Sequence, residues 1–118
     1  MDSFFPFHFT EDKSNEEQIM RLGLRISQNP EDIFLHRQFV EALTKYPNTK
    51  RAQRSIESLK TILTIEPEDI DSLILLVRCY RLIQDFDAAR NLAERCITKY
   101  PDTAGFHEEL GRTYIADN

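Results

Sequence analysis

Prolines at residues 30, 67 and 101 stand 37 and 34 residues apart, and each follows a stretch with helical apolar spacing. The first two open almost the same words, "NPEDIFLHRQFVEAL" from Asn29 and "EPEDIDSLILLVRCY" from Glu66. The third opens "YPDTAGF" from Tyr100. Proline lacks the N–H that a helix interior needs, and it pushes the preceding residue out of the helical region. Each of the three therefore ends a helix. An acid follows each proline, and negative charge suits the first turn of the next helix. Asp32, Asp69 and Thr103 are the expected N-terminal caps. The repeated unit reads as helix, tight turn, helix, proline stop. The extra residues of the first spacing fall in its internal turn, "KYPNTK", where an insertion costs least.

Between the stops, the apolar residues recur at three and four. The first helix is expected over "SNEEQIMRLGLRISQN", with Ser14 and Glu17 as a capping box and Ile19, Leu22 and Ile26 as one stripe. Gly23 beside that stripe would admit a close neighbour. The second helix spans about Glu31 to Tyr46, with Leu35, Phe39, Ala42 and Leu43 in register. The third spans Lys50 to Ile65, the fourth Asp71 to Ile83 and the fifth Phe86 to Tyr100. The sixth begins near Ala104 and carries Phe106, Leu110 and Tyr114. Short connections and no strand pattern predict an all-α, antiparallel helix-hairpin stack of about six helices. The expected division is an arm at 1–13, then a repeat domain at 14–118, with units of about 14–30, 31–67, 68–101 and 102–118. In the arm, Phe4, Phe5, Phe7 and Phe9 surround Pro6 without helical period. Such a strip is costly to leave in water.

Composition narrows the function. A net charge of -5 argues against a general nucleic-acid role, which needs clustered positive charge. The longest unbroken apolar run is "LILLV", far short of the about 20 residues that a membrane span needs. Cys79 and Cys96 have no close-spaced pattern and read as reduced, buried thiols of a cytoplasmic protein. His8, His36 and His107 are far apart, and none pairs with another His or a Cys at metal-ligand spacing. No nucleophile-elbow, phosphate-loop or dinucleotide pattern is present. The carboxylates read as solvent-face residues. We therefore expect no enzyme, no cofactor and no metal.

The block from Ile70 to Pro101 resembles a tetratricopeptide repeat, whose period is about 34 residues. Leu73, Leu76, Val77 and Tyr80, then Phe86, Ala89, Ala93, Cys96 and Pro101, fall on that family's large and small positions. The final block, "HEELGRTY", matches with His107, Leu110, Gly111 and Tyr114. The Ile33 to Pro67 block is degenerate, with Ser55 where the family prefers Ala. The resemblance covers about Glu16 to Asn118 and implies a right-handed α-solenoid. Small residues such as Gly111, Ala89 and Cys96 would let helix backbones approach, and neighbouring pairs would stack to share a core. We expect a complete small protein whose last helix is its own cap, with a fragment of a longer array as the alternative.

The resemblance also implies that the first helix of each pair lines a concave groove. The candidate groove residues are Phe34, Arg37 and Glu41, then Ile74, Arg78 and Arg81, then Glu108 and Arg112. Arg78 and Arg112 occupy equivalent slots and would hold a carboxylate of an acidic or amphipathic peptide. Pairing within a helix is the simpler account: Glu108 with Arg112, and Arg37 with Glu41. The expected function is a non-enzymatic adaptor that binds a protein or peptide, with no nucleic acid or membrane as partner. The alternative is a self-assembly module joined through Phe4, Phe5, Phe7 and Phe9 or through the open sixth helix.

Overall fold

The computed structural model describes residues 7–118, with side chains from Lys13 onward. Six helices follow one another: α1 Phe7–Gln28, α2 Ile33–Lys45, α3 Thr49–Ile65, α4 Ile70–Leu82, α5 Phe86–Lys99 and α6 Ala104–Ala116. There is no strand among the described residues.

The proline stops share one geometry. The N–H of Asp32 donates to the carbonyl of Asn29 at 3.1 Å, that of Asp69 to Glu66 at 3.2 Å, and that of Thr103 to Tyr100 at 3.1 Å. Each is a four-residue turn with proline in its second position, where the fixed φ of the ring is already correct. The fourth residue of each turn is the N-cap of the next helix, with ψ of 100, 99 and 104 respectively. Asp32 caps through its side chain, accepting from the Leu35 N–H at 3.3 Å. The Asp69 and Thr103 side chains make no capping bond. The repeated word is thus a turn and a cap written together.

Two sequence expectations change near the first helix. It begins at Phe7, so Ser14 lies inside it, exposed, and the Ser14–Glu17 pair is not a helix start. A capping box needs backbone N–H groups that lack a helical partner, which residues in the interior of a helix do not offer. Phe7 and Phe9 belong to this helix, whereas Phe4 and Phe5 lie outside the described residues. The four-residue rhythm from Asn15 onward holds: Asn15, Ile19 and Leu22 are buried. Asn15 Nδ2 donates to the Ala42 carbonyl at 2.9 Å, tying α1 to α2.

The core has two parts. Ile19 and Leu22 pack with Leu35, Phe39, Ala42 and Leu43 between α1 and α2. The larger cluster runs from Val40 through α3, α4 and α5 to Phe106. Val77, Ala89, Ala93 and Phe106 are fully buried there. Burying each large apolar side chain contributes about 1.5–3 kcal/mol. Ala89 and Cys96 stand on α5 where small residues are needed, and both are buried.

Of the two glycines expected to allow close packing, Gly23 lies beside Phe39 and Arg54, 3.8 and 3.7 Å from an added Cβ, whereas Gly111 has no such neighbour. A Cβ added to Gly111 would meet nothing within 4 Å. A Cβ added to Gly105 would fall 2.6 Å from Ile74 Cδ1. Gly105 therefore sets the approach of α6 to α4, and Gly111 faces open space because no described helix lies beside it.

Candidate functional site

First-of-pair helices α2, α4 and α6 meet their neighbours unequally. Residues of α4 and α6 come within 8 Å of each other at Cα, whereas none of α2 comes so close to α4. The difference can be traced to the helices beneath. Leu59 and Ile62 on α3 stand 34 positions before Ala93 and Cys96 on α5. Two large side chains therefore occupy the slots that two small ones fill one repeat later. Gly105 on α6 likewise has Asp71 as its equivalent on α4.

The α2–α4 seam consequently opens into a groove of about 490 Å³. Leu59 and Ile62 form its floor. Arg37, Val40, Glu41 and Thr44 line it from α2, and Asp71, Ser72, Ile74, Leu75 and Arg78 from α4. Of the residues proposed from sequence, Arg37, Glu41, Ile74 and Arg78 are brought together here. Phe34 is 68 % exposed and is not part of this lining, and neither is the exposed Glu108.

The α4–α6 seam is closed by a carboxylate. Glu109 is buried, 1 % exposed, between the two helices. Its Oε2 accepts from Arg78 Nε at 3.1 Å, Arg78 NH2 at 3.0 Å and Arg112 NH1 at 3.0 Å. Its Oε1 accepts from Arg81 NH2 at 3.1 Å. Burial alone would push this carboxyl up, but the hydrogen bonds from Arg81 and Arg78 outweigh it and hold Glu109 below the usual range. The aligned arginines do hold a carboxylate, and it is the chain's own. Arg112 pairs with Glu109 rather than with Glu108, as the expected intrahelical pair would require.

Arg37 is engaged in the same way. It reaches Asp69 at 2.6 Å and Glu66 at 2.5 Å, not Glu41. Asp69 also accepts from the Ser72 hydroxyl. Burial would raise the Asp69 carboxyl, and the bonds from Ser72 and Arg37 bring it below its ordinary value. These contacts fasten α2 to the Glu66–Asp69 turn between α3 and α4.

Sequence reasoning placed the carboxylates on solvent faces and so missed Glu109. One signal was available: Glu109 stands 34 positions after Leu75, an apolar slot of the preceding repeat. An acid in such a slot, with Arg78 and Arg81 one repeat earlier, points to a buried pair.

The proline turns, the two seams and the alternation of large and small slots together describe a helical repeat. A family model for the tetratricopeptide repeat matches residues 49–107. The chain belongs to the tetratricopeptide repeat family. No curated protein and no solved structure matches it. The tetratricopeptide match covers α3, α4 and α5 and stops in the first turn of α6, before Glu109. Tetratricopeptide repeats are in general non-catalytic modules of protein–protein interaction.

His36 is buried, with Nε2 at 2.8 Å from the Pro30 carbonyl and Nδ1 at 2.9 Å from Ser58 Oγ. If neutral, the ring donates to the carbonyl and accepts from the hydroxyl. His107 repeats the first contact, 3.1 Å from the Pro101 carbonyl. Cys79 and Cys96 are buried and unpaired. Burial pushes the Cys79 thiol up to about 11 and also raises that of Cys96, which makes neither a ready nucleophile. Among the described residues no group of three His, Cys, Asp or Glu converges as a metal set, and no helix is long and apolar enough to cross a membrane.

Proposed function

We propose that the chain is an adaptor that holds an amphipathic segment of another protein in the α2–α4 groove. One observation carries this reading: two equivalent seams of one array are packed differently. The α4–α6 seam is closed by the Gly105–Ile74 contact and the Glu109 cluster, whereas the α2–α4 seam leaves a groove over buried Leu59 and Ile62, with half-buried Ile74 and Leu75 on its wall. Its volume falls in the range of about 300–1,000 Å³ typical of binding clefts. Ile74 and Leu75 offer apolar contact, and the charged rim offers orientation. Reduced thiols at Cys79 and Cys96 suit a cytoplasmic setting.

The test is a steric block. Thr44→Trp puts an indole into the groove without changing charge. Proteins captured from native lysate by the unaltered chain are identified by mass spectrometry and compared with those captured by T44W. Groove-bound partners disappear in the variant, with thermal unfolding by circular dichroism as the control for folding. Capture of the same partners by a folded T44W would remove the proposal.

A separate observation favours self-assembly as the second reading. On α6, Ile115 is 79 % exposed and Tyr114 52 % exposed, beside the open face at Gly111. The Phe4, Phe5, Phe7 and Phe9 segment is the other candidate for joining copies. Sedimentation across a concentration series decides this, and a monomer at high concentration excludes it.

A further inference from the structure

We infer that the groove takes a basic partner: an amphipathic segment whose polar positions carry Lys or Arg. The inference rests on the groove reading above and deepens it. Both arginines of the lining are already engaged. Arg37 is held by Asp69 and Glu66, and Arg78 by the buried Glu109. The other two charged residues of the lining are Glu41 on α2 and Asp71 on α4. Both are exposed, and neither makes a side-chain hydrogen bond or ion pair with any described residue. Two uncommitted carboxylates therefore rise from opposite walls over an apolar floor.

Competition decides the sign. A ligand carboxylate drawn to Arg78 would have to share a cation with Glu109, whose own burial makes lost partners costly. A ligand ammonium or guanidinium meeting Glu41 or Asp71 breaks no internal bond. Its aliphatic stem can lie on Ile74 and Leu75 while its head reaches the rim. Arg112, the most exposed cation of the Glu109 cluster at 55 %, stands on α6 and is not part of the groove lining. The chain as a whole, at -5, also attracts a cationic partner over distance.

The experiment uses two fluorescent amphipathic peptides with identical Leu positions, one with Lys and one with Glu at the polar positions. Each is titrated with the full chain and followed by anisotropy. The Lys peptide binds, loses affinity with added salt, and is weakened roughly tenfold by the double change Glu41→Gln with Asp71→Asn, as removal of two exposed ion pairs implies. Both residues are exposed, so this variant keeps its fold. Equal or tighter binding of the Glu peptide, unchanged affinity in the double variant, or binding of neither peptide overturns the inference. The T44W variant separates the two layers. Glu-peptide binding that T44W abolishes keeps the groove and removes its basic preference, whereas peptide binding that T44W leaves intact removes the groove itself.

Discussion

Arg78 donates two hydrogen bonds, from Nε and NH2, to a single oxygen of Glu109, 31 residues away on the facing helix. Arg81 and Arg112 complete the cluster, so one buried carboxylate joins α4 to α6. Removing the acid strands three guanidiniums. Breaking a buried pair from one side costs about 3–5 kcal/mol, and partial exposure of these arginines lowers that to about 2–3 kcal/mol. Glu109→Ala should depress the melting temperature by roughly 10 °C, as followed by circular dichroism. A variant that melts with the parent would show that the cluster adds nothing.

Acid should act through the same cluster. The Glu109 and Asp69 carboxyls lie lower in the folded chain than in the unfolded one, where they titrate at about 4.3 and 3.9. A depressed folded value means that the unfolded chain takes up the proton first. Their stabilisation is therefore complete above the unfolded values and is lost as pH falls through the folded ones. Urea midpoints should lose this contribution only below about pH 4.5, and Glu109→Gln should fall less steeply there than the parent. Parallel pH curves for the two proteins would contradict the assignment.

Glycines at positions 105 and 111 should respond in opposite ways. Gly111 lies inside α6 with open space around it, so Gly111→Ala gains helix propensity and should stabilise by up to about 1 kcal/mol. A methyl at residue 105 would stand 2.6 Å from Ile74 Cδ1, which can turn aside, and 3.3 Å from Cγ1, which must give by a few tenths of an ångström; a leucine puts three further carbons into the same gap. Gly105→Leu should cost about 1–3 kcal/mol by forcing α6 off α4. Thermal melts of the two variants, taken side by side, check the contrast.

Gln84 ends α4 in the left-handed region, with φ of 66. The Asp85 N–H donates back to the Tyr80 carbonyl at 2.9 Å, the closing bond of a glycine-type helix stop. Glutamine carries a side-chain penalty there that glycine lacks. Gln84→Gly should raise stability by about 0.5–1 kcal/mol, read as a shift in urea midpoint at constant slope.

Much of the repeat was legible in the residues. Pro30, Pro67 and Pro101 mark the turns because proline acts on the backbone locally, wherever it stands. Leu76, Val77, Ala89 and Ala93 show their burial through spacing, since a helix presents every third or fourth residue to one side. Ser14 with Glu17 misled because a capping pattern has meaning only where a helix begins, and the residues before it continue the helix. Glu109 misled because charge predicts exposure unless partners come from elsewhere, and its partners Arg78 and Arg81 are about one repeat away.

Six amphipathic helices, their order, their turns and their membership of a repeating array can be read from the residues alone. Which seam closes and which stays open emerges from the packing of those helices on one another. That choice depends on whether Leu59 and Ile62 or Ala93 and Cys96 lie beneath a given pair of helices, and on whether a glycine such as Gly105 faces a neighbour. These are distances between side chains far apart in the chain, and spacing along one helix carries no record of them.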